Sequence, residues 1–171
     1  MMRFPFRPLA FAALALVLAA CGKPKTHAFT AADSPDGAAF LAKNAKEPGV
    51  TVLADGLQYK VVHAGDAAGA SPKKGDDIKI NYEGTLLSGE VFDSSFKRGP
   101  PDVMPLEQLV PGWMEALPKM HVGDEWILYL PAKLGYGERG QGPIPPNSVL
   151  VFRIQLLGVL PHGGAGGTAN G

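Results

Sequence analysis

A single cysteine, Cys21, rules out an intramolecular disulfide in this chain. No sign of charge is in excess either. The formal net charge is zero, without the basic surplus that marks a nucleic-acid-binding surface. The apolar run at residues 9–20 spans 12 positions, short of the ~20 needed to cross a bilayer. Four histidines (His27, His63, His121 and His162) lie far apart in the chain, without the spacing of a metal-ligand set. No G-x-S-x-G or other nucleophile signature is present. "GYGERG", residues 135–140, does match G-x-G-x-x-G, but "QGPIPPNS" follows it. Such a segment cannot open the helix that a pyrophosphate site requires, so dinucleotide binding is rejected.

Glycine and proline are plentiful, with 22 and 16 residues, and apolar residues make up 46% of the chain. That composition supports one packed domain with appendages, built from short elements and many turns. The spacing predicts a short helix over residues 36–46, with Asp33 or Ser34 as N-cap and Pro48-Gly49 ending it. Residues 57–65 read as a strand ending at Gly65. In residues 76–87, Ile78, Ile80 and Tyr82 face one way while Lys79, Asn81 and Glu83 face the other. Ser88-Gly89 then turns the chain into a partner strand at residues 90–95. Residues 125–131 form a largely buried strand containing Trp126, which reads as core. Residues 149–159 put Leu150, Phe152, Ile154 and Leu156 on one face. One helix-like segment, residues 112–119, interrupts this set. The class is α+β: an antiparallel sheet with a short helix on one face. No internal repeat is found.

The N-terminus has a basic start (Arg3, Arg7), the apolar run, then small residues, which is the layout of a secretory signal peptide. "LAAC", residues 18–21, resembles the lipobox of bacterial lipoproteins, which implies cleavage after residue 20 and lipidation of Cys21. The plain alternative is a signal peptide in which Cys21 has no role. The placement of the chain's one cysteine favours the lipid. Several acyl chains, as the resemblance implies, are what stable anchoring requires. Gly22 resembles the lipoproteins sorted to the outer membrane, facing the periplasm. Loss of Arg3 and Arg7 leaves 14 basic and 16 acidic side chains. Residues 21–35 read as a tether, 36–55 as the short helix and a linker, 56–160 as the main domain, and 161–171 as a glycine-rich disordered tail.

Five stretches, "NYEG", "VFDSS", "LVPGW", "GYGERGQGPIPPNS" and "LVFRIQLL", stand in this order between residues 81 and 157. In order and spacing they resemble the FKBP-type peptidyl-prolyl cis-trans isomerases, over about residues 56–160. "GVTVLADGLQYKVV" and the helix before it look like the exported bacterial branch that includes the macrophage infectivity potentiators. The resemblance implies a strongly bent antiparallel sheet wrapped around a short helix. It implies rotation about Xaa-Pro bonds of folding polypeptides, with no metal, cofactor or covalent intermediate.

Position by position, the resemblance makes Trp113 the floor on which a proline ring sits. Tyr82, Phe92 and Phe152 become aromatic walls, and Leu109, Val110 and Ile144 aliphatic ones. The Val110 N–H is implied as donor to a substrate carbonyl, Tyr136 as a hydroxyl that bonds substrate, and Asp93 as the acid near the rotating carbonyl, bonded to the Tyr82 hydroxyl. Other readings stand beside these. Asp93 before Ser94-Ser95 also suits an Asx-type turn, and Tyr82 and Phe152 also suit a plain core. Strict alternation sends Phe92 and Asp93 to opposite faces, so both reach one pocket only through a bulge or bend.

The chain departs from the family where many members carry an aromatic pair, having Asp102, Val103 and Met104 instead. One wall is then thinner or more pliable, which bears on affinity for macrolide inhibitors more than on activity. Residues 137–143 leave no room for an inserted chaperone flap. The N-terminal helix is much shorter than the dimerising helix of the infectivity potentiators, so a monomer is expected. A non-catalytic module that docks proline segments, or a holdase, is the rival from another class. A lipoprotein whose main task is contact with a host or envelope partner is a third. Asp93 and Tyr136 together favour catalysis.

Overall fold

A computed structural model describes residues 34–161 of the chain. The signal segment, nearly all of the tether, Asp33 and the tail beyond residue 161 lie outside them. Helix α1 (Ser34–Asn44) is followed by β1 (Val50–Val52), β2 (Gln58–His63), β3 (Asp77–Leu86), β4 (Val91–Ser94) and one turn of helix, α2 (Ser95–Arg98). Then come β5 (Asp102–Pro105), helix α3 (Pro111–Ala116), β6 (Glu125–Leu130) and β7 (Leu150–Leu160). Among the described residues all seven strands join one antiparallel sheet, in the order β1-β2-β6-β7-β3-β4, with β5 also on β3. The α+β class follows.

The long strands form where apolar residues alternate. Ile78, Ile80, Tyr82 and Leu86 of β3 are buried, as are Leu150, Phe152, Ile154 and Leu156 of β7 and Trp126, Leu128 and Leu130 of β6. Their shared face closes over α3, whose Trp113 and Ala116 join the same core. Pro111 starts α3 at a position where its missing N–H costs nothing. Pro118, inside the 3-10 turn Leu117–Lys119, then lacks the N–H that a further helical bond would use. Gly112 brings the helix against β6, since a Cβ there would stand 2.7 Å from the Leu130 Cγ. The missing side chain at Gly112 thus serves close contact between helix and sheet.

Some elements differ from the sequence reading. The first helix begins and ends two residues earlier than expected, and Ser34 lies inside it. Proline is compatible with a first helical turn, which lets Pro35 sit within the helix. Beyond Asn44 the chain continues as single turns, Lys46 N–H to the Lys43 carbonyl and Glu47 N–H to the Asn44 carbonyl, both 3.0 Å. The helix is also no free appendage. Asn44 Nδ2 donates to Gln58 Oε1 at 2.8 Å, and Gln58 Nε2 donates to the Leu41 carbonyl at 2.9 Å. Phe40 leans on Tyr129 at 5.9 Å. Residues 50–52, read as linker, form β1, and residues 102–105 form β5. Both are short, and prolines flank or end β5, so neither shows a period. Helix α2, a single turn, was likewise not anticipated.

The far edge of β3 is divided. β4 pairs with Glu83–Thr85 and β5 with Asp77–Ile80, so the ladder is open at Asn81 and Tyr82. Ser95, fully buried at the start of α2, fills the gap. Its Oγ accepts the Tyr82 N–H at 2.8 Å, and its proton faces the Tyr82 carbonyl at 3.3 Å and Asn81 Oδ1 at 3.4 Å. The excursion β4-α2-β5 is thereby pinned beside the inner face of the sheet.

Candidate functional site

Between α3, the inner face of β3 and β7, and this excursion lies a cavity of about 280 Å³. Trp113 lines it, although only 4% of the residue is exposed. Tyr82 and Phe152 stand nearly perpendicular to the indole, at 5.1 Å and 85° and at 5.0 Å and 83°. Phe92 meets Phe152 edge to face at 5.5 Å. These contacts are edge to face rather than stacked, and all four rings line the one cavity.

Phe92 and Asp93 both line the cavity although they are adjacent in a strand. Gly84 pairs with Asp93 and Thr85 with Val91, so Phe92 is the extra residue of a β-bulge. The bulge breaks the two-residue period and lets consecutive side chains serve one pocket. Gly84 is needed opposite it, because a Cβ there would lie 2.6 Å from two Phe92 ring carbons and 2.8 Å from a Phe152 ring carbon.

The polar edge of the cavity is a charged network. The Tyr82 hydroxyl donates to Asp93 Oδ2 at 2.5 Å. Arg98 donates through Nη1 to Asp93 Oδ1, and through Nη2 to Asp102 Oδ2 and, at 3.0 Å, to the Tyr82 hydroxyl. Its guanidinium carbon also lies 5.5 Å from the centre of the Tyr82 ring. Burial opposes ionisation of Asp93, but the bonds from Tyr82 and Arg98 outweigh it and hold the carboxyl below the usual range. Burial, with the Asp93 hydrogen bond next, pushes Tyr82 up to about 12. Tyr136 is raised by burial and by the Asp93 charge. At neutral pH the site therefore presents a carboxylate and two neutral phenols within an aromatic cup.

Of the residues expected at a site, the structure brings Tyr82, Phe92, Asp93, Leu109, Val110, Trp113, Tyr136 and Phe152 to this one cavity. Ile144 is not brought there. It is 7% exposed and belongs to the core. Reciprocal bonds at 3.0 and 2.9 Å between Gln141 and Ile144 close a tight turn, and it is Gln141 that lines the cavity. Cys21 lies outside the described residues. Val110 is the extended residue before α3, and its carbonyl accepts the Trp113 N–H at 2.9 Å and the Met114 N–H at 3.2 Å.

Sequence reasoning missed Arg98, Gln108 and Gln141. A basic residue five positions after a candidate acid was the available signal for Arg98. The departure at residues 102–104 also resolves into three roles: Asp102 holds Arg98, Val103 is 52% exposed, and Met104 lines the cavity.

A family model described as FKBP-type peptidyl-prolyl cis-trans isomerase matches residues 69–157, and one described as the domain amino terminal to it matches 18–61. The peptidyl-prolyl cis-trans isomerase Mip of Coxiella burnetii is 50% identical over 122 residues, covering 71% of this chain and 52% of the relative. The outer membrane protein MIP of Legionella longbeachae is 48% identical over 124 residues, covering 72% and 52%. The crystal structure of FkpA from Escherichia coli superposes with a TM-score of 0.73 at 43% identity, covering 77% of this chain and 61% of that one. The chain thus spans about half the length of these two curated relatives. With the family model matching over half its length and the fold in agreement, the chain belongs to the FKBP-type peptidyl-prolyl cis-trans isomerase family.

Proposed function

We propose that this protein is a peptidyl-prolyl cis-trans isomerase that accelerates folding of exported polypeptides in the bacterial envelope. The observation that carries the reading is the convergence of the Trp113, Tyr82, Phe92 and Phe152 rings with Asp93 and Tyr136 on one cavity. Rotation about an amide bond faces a barrier of ~18–20 kcal/mol because resonance makes the C–N bond partly double. At a prolyl bond the uncatalysed exchange takes tens to hundreds of seconds. No bond is broken, so no nucleophile is required. In the twisted state resonance is lost, and with it the charge separation between nitrogen and oxygen. An apolar cup favours that state over the more polar planar one.

In this reading the proline ring rests on Trp113, and Leu109 and Val110 pack beside it. The Val110 N–H and the Tyr136 hydroxyl hold substrate carbonyls, and Asp93 stands near the rotating one. Lowering the barrier by about 5.4 kcal/mol gives a ten-thousandfold acceleration. Met104, more pliable than an aromatic ring, leaves a loose wall against which a macrolide binds weakly. The protein acts as a monomer, held to the outer membrane by lipid on Cys21 and facing the periplasm. The name of the Legionella longbeachae relative, an outer membrane protein, supports that location.

Exchange kinetics on a Leu-Pro peptide test the activity. Wild type accelerates exchange, Asp93→Val and Tyr136→Phe lose most of that acceleration, and a silent wild type overturns the reading. Incorporation of labelled palmitate into wild type and its absence from Cys21→Ala test the anchor.

A further inference from the structure

Next to the aromatic cup lies a second concavity of about 320 Å³, lined by Gly75, Asp76, Pro105, Glu107 and Gln108. Gln108 lines both spaces, so the 3-10 turn Leu106–Gln108 forms a shared rim rather than a barrier between unrelated surfaces. The walls are built, not incidental. The Lys73 N–H donates to Asp76 Oδ2 at 2.8 Å, the Asp76 N–H to the Lys73 carbonyl at 3.0 Å, and the Leu106 N–H to the Asp76 carbonyl at 3.0 Å. The first two bonds close the turn before β3, and the third ties it to the turn after β5. Gly75 holds φ +89, and no atom lies within 4 Å of where its Cβ would stand.

The chemistry of the concavity is mixed in a specific way. Pro105 and Gly75 offer apolar surface, while Asp76 and Glu107 bring carboxylates. The cations nearby are Lys73 and Lys74. The Lys74 ammonium stands 3.6 Å from Glu107, with the two side chains 90% and 49% exposed. A pair so solvated is weak, and Glu107 remains available to a competing cation. Long basic side chains suit such a place, since they lay an apolar stem on apolar surface and keep the charged head at a polar edge.

We propose that this concavity is a second substrate subsite, which takes a lysine or arginine side chain of the polypeptide whose proline occupies the aromatic cup. The inference rests on the isomerase reading of that cup. Because Gln108 lines both spaces, an extended chain that crosses this rim places its basic residue within the first few positions on one side of the proline. The head group meets Glu107 and Asp76, and the stem packs on Pro105. Client polypeptides are then selected by a proline and a basic residue together, not by the proline alone.

The test compares peptides with a central Leu-Pro that carry lysine, leucine or glutamate at each of these distances, on either side of the proline. Exchange spectroscopy gives kcat/KM for each. At the favoured position lysine exceeds glutamate by about fivefold, the scale of an exposed ion pair, and high salt erases most of that ratio. Glu107→Lys reverses the order. Equal rates for the three residues at every position, a preference for leucine, or a lysine preference that persists in Glu107→Lys would each overturn the proposal. If no peptide is accelerated at all, the isomerase reading fails instead. The subsite is then judged by titrating the lysine peptide and following the Gly75 and Glu107 amide resonances: saturable shifts support it, and their absence overturns it.

Discussion

The Tyr82 hydroxyl donates to Asp93 at 2.5 Å while it accepts an Arg98 N–H at 3.0 Å. One phenol on β3 therefore links the acid of β4 to the guanidinium of α2, and Asp102 of β5 holds that guanidinium from the other side. Four elements meet at the polar edge of an otherwise apolar cup.

This arrangement makes the acid limb depend on Arg98. The folded pKa of Asp93 lies below its ordinary value, so its contribution to stability is fully present above the unfolded pKa of about 3.9. It is lost as pH falls through the lowered folded value. In Arg98→Leu two causes of the lowering disappear, and the Asp93 titration followed by carboxyl ¹³C resonances moves to higher pH. With Asp93 and Tyr82 less firmly held, kcat/KM on a Leu-Pro peptide falls about tenfold. An unmoved titration would separate Arg98 from the site.

At Gly84 the cup has no spare volume. In Gly84→Ala the new methyl displaces the Phe92 and Phe152 rings whose carbons would otherwise lie 2.6 and 2.8 Å away. Overpacking of this kind costs about 1–3 kcal/mol, measurable by urea denaturation. Because the displaced rings are the walls, kcat/KM falls by more than in a core variant of equal destabilisation away from the cavity, such as Leu156→Ala.

Among the described residues, the Ser95 side chain completes the opening in the β3 ladder. Ser95→Ala leaves the Tyr82 N–H buried and unpaired, a loss of about 1–3 kcal/mol. Hydrogen exchange at the Tyr82 amide accelerates in the variant, whereas a merely exposed serine would show no change there.

The clasp between Gln58 and α1 predicts a local effect. Gln58→Leu removes the partner of the Asn44 side chain and one of the two donors to the Leu41 carbonyl, and amide protection is lost across α1 while β6 and β7 keep theirs. Equal loss across the molecule would mean that α1 is integral to the core and not docked on it.

Much of this molecule is legible in local pattern. The alternation of Ile78, Ile80 and Tyr82 and of Phe152, Ile154 and Leu156 identifies β3 and β7, because a half-buried strand imposes a period of two on its own residues. Pro111 marks the start of α3 for an equally local reason, its fixed φ. The five aromatic and glycine motifs identify the family and eight of the residues that meet at the cavity.

Other features have no local period to betray them. β1 and β5 exist because β2 and β3 offer edges to pair with, and residues as short in run as "VTV" and "DVMP" reveal nothing of that. The bulge at Phe92 depends on Gly84 across the ladder, and it overrides the alternation that would separate Phe92 from Asp93. Ile144 turns to the core and Gln141 to the cavity through a two-residue closure that composition does not encode. Arg98 joins the site because β3, β4 and β5 set three acceptors around one guanidinium. Period and motif are properties of neighbours along the chain. Bulge, clasp and charge clamp are properties of what the fold places opposite them.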